Sequence, residues 1–247
     1  MMFPFIKYHC RFSLGDPVLV EGLPGPGNIG MLVTDYLIDH LKARKIMSVV
    51  VPHLAPGCLI DDDSIIEPAA LSFYRARKTK NRDRDIILLL GDISYNIWPG
   101  NMTIIETLAS IVERFGINEL ITFLPVTSNV KKNKVCLFNP KLSKSSSSKL
   151  IPVIPYVSSF SHIIRDRQCK VTAISVNADI STPMGFDLGA TELALRKIVE
   201  YLGIKNVDIK HAIRDMESLI SQTELAQNQS MLRAMERAVR LEPTYIG

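Results

Sequence analysis

Apolar residues along this chain fall into two periods. Short unbroken or nearly unbroken runs at Val18–Val20, Ile46–Val51, Asp85–Leu90, Leu120–Leu124 and Lys170–Val176 have the length and composition of buried strands. Between them, apolar positions recur at three and four. Ile29, Leu32, Val33, Tyr36, Leu37 and Leu41 form one stripe, with Asp35, Asp39, Lys42 and Arg44 mostly off it and Asn28 placed as its cap. Thr103 to Phe115 and Leu188 to Leu202 form two more, and Gly116 stops the first of these. Further helical pattern covers Val207–Ile220 and Glu224–Leu241.

Strand, helix and strand in succession from Val18 to Val51 predict two parallel strands joined by a right-handed crossover, and so a sheet that is parallel at its centre. The stretch "DDDSIIEPAALSFYRARK" predicts a hairpin at a sheet edge, because an acidic turn and a proline interrupt its short strands. The expected fold is α/β, three layers around a central, largely parallel or mixed sheet, plus C-terminal helices. We expect one domain over 1–247, in which 206–241 form a helical segment used in oligomer contacts and 242–247 a flexible tail.

Composition narrows the function classes. With 47% hydrophobic residues the chain can bury a large core. Its 29 Lys and Arg against 25 Asp and Glu leave +4, spread along the chain, which argues against a nucleic-acid partner. One basic, serine-rich stretch, Lys131–Lys149, reads as a mobile surface loop with hardly any aromatic residues for base stacking. Cys10, Cys58, Cys136 and Cys169 stand far apart in no metal-ligand spacing, which fits a reducing compartment. No apolar run is long enough to span a bilayer and "MMFPFIKYHC" lacks the pattern of a signal peptide, so a cytoplasmic protein without a membrane partner is expected.

"GLPGPGNIG" sets Gly25, Gly27 and Gly30 in the G-x-G-x-x-G spacing between a strand and a helix. A dinucleotide site needs free N–H groups in that turn and an acid at the end of the second strand. Pro26 removes one N–H, and "VVVPHLAP" puts Pro52 and His53 where the acid would stand. The balance favours a structural turn, with Gly30 allowing the helix to approach the sheet, although a helix N-terminus keeps phosphate or nucleotide binding open. H-E-x-x-H, G-x-S-x-G and P-loop motifs are absent, and no metal or cofactor is expected. His53 and Asp92, at strand ends, could act as acid–base groups or simply hold loops. Tyr95 and Trp98 on the next loop could stack on a partner or cover the core.

The same stretches carry a resemblance. "PVLVEGLPGPGNIGMLVTDYLIDHL", "VVVPHLAP" and "DIILLLGD" occur in the order found in the proteasome assembly chaperone family, the archaeal relatives of the second eukaryotic assembly chaperone. In that family a first strand runs into a G-x-P-G-x-G-N-x-G turn, a second strand ends in Pro-His and a later one in Gly-Asp. Gly22, Pro24, Gly25, Gly27, Asn28, Gly30, Pro52, His53, Gly91 and Asp92 occupy those places here. The match covers roughly the first half of the chain. It implies a fold similar to nucleoside phosphorylases, a self-assembled homo-oligomer, proteasome α-subunits or core particle as partner, and no established enzyme activity. Such proteins are sometimes grouped with ATP-dependent ligases, and a nucleotide- or nucleoside-binding enzyme using the Gly25–Gly30 turn is the alternative. The end of the chain, "LEPTYIG", is similar to the docking tails of proteasome activators, which would make Tyr245, Ile246 and Gly247 partner-binding residues. Tyr245 stands third from the end where those tails have it second, and a loose terminus is the other reading.

Overall fold

A computed structural model describes residues 4–50, 58–60, 66–68, 70–78, 84–91, 101–126, 136–138, 169–178 and 185–222, and every count below refers to these. Contacts divide the chain into two compact units, Met1–Val207 and Asp208–Gly247.

The first unit is built on an eight-stranded sheet. In chain order its strands are β1 (Phe5–Tyr8), β2 (Val18–Gly22), β3 (Arg44–Val50), β6 (Ala70–Ala76), β7 (Ile86–Gly91), β8 (Glu119–Val126), β9 (Cys136–Phe138) and β10 (Lys170–Asn177), while β4 (Cys58–Ile60) and β5 (Ile66–Pro68) pair only with each other. The spatial order is β1-β3-β6-β7-β2-β8-β10-β9. Its centre, β7-β2-β8-β10, is parallel, and antiparallel strands flank it on both sides. The parallel centre matches the apolar runs, because strands covered on both faces lose the alternation of a half-exposed sheet.

The strands β2 and β3 run in the same direction, as expected, with β6 and β7 lying between them. One sequence expectation changes. The hairpin expected at an edge splits in two: β4 and β5 form the separate ladder, whereas β6 is an interior strand bonded to β3 and β7. Burial explains the difference, since Ala70, Leu71, Phe73 and Ala76 are all inside.

Helices α1 (Ile29–His40), α2 (Asn101–Arg114) and α3 (Leu188–Leu202) cover the sheet. On one face Ile104, Ile105, Leu108, Ile111 and Val112 of α2 pack with Leu19, Phe73, Ile87, Leu89 and Leu120. On the other, α1 lies over β2, β7 and β8, and α3 lies beside it on β10. The buried stripe of α1 is Ile29, Gly30, Val33, Thr34, Leu37 and Ile38, while Leu32 and Tyr36 are only half-buried. Gly30 and Thr34 join the stripe where the helix sits close against the strands. Gly116, at φ +61°, ends α2 with Ile117 N–H bonded back to Val112 O at 2.9 Å. Asp187 caps α3 by accepting from Ala190 N–H at 2.9 Å.

Two buried carboxylates fasten the amino ends of the central strands. Asp85 accepts from Gly15 N–H at 2.9 Å, Lys78 N–H at 2.7 Å and Arg75 Nη2 at 2.7 Å. Glu119 accepts from Arg84 Nη1 and Lys170 Nζ at 2.7 Å each, Thr172 Oγ1 at 2.9 Å and Tyr201 OH at 2.5 Å. The carboxyl ends of the same strands are left for the site.

Of the second unit, a helix α4 over 209–222 is described. Asp208 opens it by accepting from His211 N–H at 3.0 Å. The expected helix over 224–241 lies outside the described residues.

Candidate functional site

The turn after β2 is shaped by contacts within the protein. An added Cβ on Gly22 would overlap the Cβ and Oγ1 of Thr34, and on Gly30 it would come within 3.0 Å of Phe123 Cδ2 and 3.3 Å of Glu21 O. At the end of β7, Gly91 has Leu23 Cδ2 at 3.0 Å and Pro24 Cδ at 3.2 Å from the same position. Gly27 needs its left-handed φ of +66°, and its carbonyl accepts from Asp187 N–H at 3.0 Å, which ties the start of α3 to the turn. Gly25 is extended and accepts from Asn28 N–H at 2.8 Å. Each of these glycines meets its own chain.

Asn28 stands at the N-cap position of α1, but its side chain caps nothing there. At φ +47° it turns its amide away to donate to Gly185 O at 3.3 Å, a second link between the turn and the segment leading into α3. Pro52, His53, Asp92, Tyr95, Trp98 and the tail residues Tyr245, Ile246 and Gly247 lie outside the described residues, as does the Lys131–Lys149 stretch apart from β9 (Cys136–Phe138), a strand paired with β10 where the sequence predicts a surface loop.

The connections give this end of the sheet its character. From β2 the chain runs through α1 toward β3 on one side, and from β8 it proceeds toward β10 on the other. The carboxyl ends of neighbouring β2 and β8 therefore form a topological switch point, where open α/β sheets leave a crevice. A cavity of about 20 Å³ sits there, lined by Glu21, Thr122, Phe123 and Pro125 from the two strands and by Leu23 to Pro26, Ile29 and Gly30 from the turn and helix. That is room for about one water.

Glu21 is the chemically distinctive residue of this pocket. It is 3% exposed, and neither carboxylate oxygen has a hydrogen-bond partner. Burial pushes the carboxyl up to about 7, against the opposing pull of the Thr122 hydroxyl. In the sequence it is inconspicuous, because a lone glutamate in "VLVEG" looks like the polar end of a strand. The available signal is its place between an apolar run and a glycine turn, which sets the side chain among apolar neighbours.

This arrangement can hold a proton near neutral pH or pair with a small donor. Among the described residues the cavity takes about one water, and a carboxylate at the helix start would repel phosphate. Among the described residues, no cluster of three or more His, Cys, Asp or Glu could hold a metal ion. No helix among them is long and apolar enough to cross a membrane.

Known proteins place this architecture. The fold is similar to that of PbaB from Pyrococcus furiosus, an archaeal proteasome activator, with a TM-score of 0.71 and 22% identity over 91% of this chain and 100% of that one. PbaA from the same organism, an archaeal homolog of proteasome-assembly chaperone, gives 0.65 and 16% over 98% and 99%. The uncharacterised protein MJ1210 of Methanocaldococcus jannaschii is 27% identical over 137 residues, 56% of this chain and 52% of that protein, so the match spans about half the length of that relative. Residues 19–228, which include the glycine turn, nearly all of the parallel centre of the sheet and all of α4, match the PAC2 family model, and the chain belongs to the PAC2 family.

Proposed function

We propose that this protein is a non-enzymatic, homo-oligomeric assembly factor that binds proteasome α-subunits or the core particle in the cytoplasm. The observation that carries the reading is its likeness in fold, over nearly its full length, to an archaeal proteasome activator and to a homolog of a proteasome-assembly chaperone. The glycine turn supports it: these glycines serve helix–strand contact, and the adjoining cavity takes one small group. Cys10 and Cys169, both free, fit a reducing compartment. In this reading the segment 206–241 supplies subunit contacts, and Tyr245, Ile246 and Gly247 dock on the partner.

A pull-down with archaeal proteasome α-subunits and core particles, using the full chain and one lacking Thr244–Gly247, tests it. Capture by the full chain that weakens on truncation supports both the partner and the tail. Equal capture by both forms keeps the partner and removes the tail from the interface, and capture by neither overturns the reading.

A further inference from the structure

The Glu21 carboxyl is buried, has neither oxygen bonded, and lines a cavity of one-water size at the switch point of the sheet. A buried carboxyl whose oxygens reach no full hydrogen-bonding geometry within the protein is costly, and the Thr122 hydroxyl beside it offsets that cost only in part. The missing partner must be a donor, and it must be small. Its sign follows from the surroundings: the start of α1 on the same rim would favour an anion, but the carboxylate already occupies the place an anion would take. Leu23, Pro24, Ile29 and Pro125 in the lining offer apolar surface and little competition for a charged head seated on Glu21. Methylene groups suit such a lining as long cationic side chains suit apolar surfaces elsewhere.

We propose that this pocket is a primary-ammonium site, in which Glu21 receives the –NH₃⁺ head of an alkylamine while the Leu23–Pro24 and Pro125 rim holds its first methylene. The head can belong to a free small amine or to a lysine side chain; both present the same group. The proposal does not depend on the proteasome reading. Binding is linked to protons, since the amine pairs with the ionised carboxyl and the raised Glu21 must release its proton first.

Titration calorimetry on the full chain tests the site, with methylammonium chloride, a short lysine peptide and its lysine-acetylated form, and with tetramethylammonium as a cation that has no N–H. Methylammonium is expected to bind about tenfold more tightly at pH 8 than at pH 6, the change in the ionised fraction of a carboxyl titrating near 7. At pH 6 the heat should vary with buffer ionisation enthalpy as protons leave. Glu21→Gln, checked for fold by circular dichroism, should abolish binding. Binding of methylammonium alone identifies a free-amine site; binding of the lysine peptide, lost on acetylation, identifies a lysine of a partner. Binding that survives in Glu21→Gln, equal binding of tetramethylammonium, or no binding of any amine would overturn the proposal, the last leaving a pocket for water only. Should Glu21→Gln fail to fold, the pH and buffer dependence in the unaltered protein decides.

Discussion

Replacing Gly22 with alanine adds one methyl group where β2 meets α1, and the structure fixes what that group encounters. It would overlap Thr34 Cβ and Oγ1 and lie 2.7 Å from Thr34 Cγ2. Rotating the threonine cannot relieve this, because its Cβ is fixed to the helix backbone. The backbone at Gly22 is not in the left-handed region, so alanine meets no conformational penalty and the cost is steric alone. The helix must shift, while Gly30 on its first turn is already against Phe123 and the Glu21 carbonyl. Overpacking of this kind costs about 1–3 kcal/mol. At about 2–4 °C per kcal/mol for a chain of this size, Tm should fall by roughly 2–12 °C.

The double variant makes the reasoning specific. Thr34→Gly deletes all three colliding atoms, at about 0.3 kcal/mol in helix propensity. Thermal and urea unfolding of the two single variants and the double should show a favourable coupling of about 1 kcal/mol or more, the double being less unstable than the sum. A Gly22→Ala variant that melts within a degree of the unaltered protein, or a double variant whose losses simply add, would refute the claim that this glycine is there for helix–strand contact.

Other outcomes follow from the carboxylates. Burial alone would raise Glu119, but donors from Lys170, Tyr201, Arg84 and Thr172 outweigh it and bring it down to about 2. Its stabilisation is therefore present above about 4.5 and lost as pH falls toward 2, and Glu119→Gln should flatten urea-midpoint curves over that window. Glu21 has the opposite sign: its folded pKa is raised from 4.5 to about 7, so stability present at low pH is lost as pH rises through that interval. Glu21→Gln should match the unaltered protein at pH 4 and exceed it by about 3 kcal/mol at pH 8, since each tenfold change in proton affinity is worth about 1.4 kcal/mol; equal urea midpoints at pH 8 would contradict this. Asp85→Ala orphans two backbone N–H groups and the Arg75 guanidinium. It should cost about 3–5 kcal/mol in urea unfolding, and a loss below about 1 kcal/mol would refute its role as a fastener.

Local pattern accounts for much of this fold. The β2 run, the glycine turn and α3 are legible because each depends on neighbours in sequence: an apolar run, a stop, a stripe at three and four. Strand order is not. Nothing in "AALSFYRA" marks it for the interior between β3 and β7, since that pairing is set by residues distant along the chain. The Asn28 side chain departs from its expected capping role for a related reason, its partner Gly185 being 157 positions away. The site is half legible. The glycines stand out as a motif, but the reason for them, Thr34 and Phe123 pressed against the turn, appears only in three dimensions. Glu21, Asp85 and Glu119 all read as ordinary strand-flanking charges, and only the folded surroundings separate the two that are hydrogen-bonded from the one that is not.

The claim that this chain is a proteasome assembly factor is tested most directly by sedimentation velocity of the purified protein, alone and mixed with archaeal proteasome α-subunits at micromolar concentration. A homo-oligomer alone and a faster-sedimenting complex containing both proteins in the mixture are expected. A monomer would contradict the oligomeric reading, and two independent boundaries in the mixture would contradict the assignment of the partner.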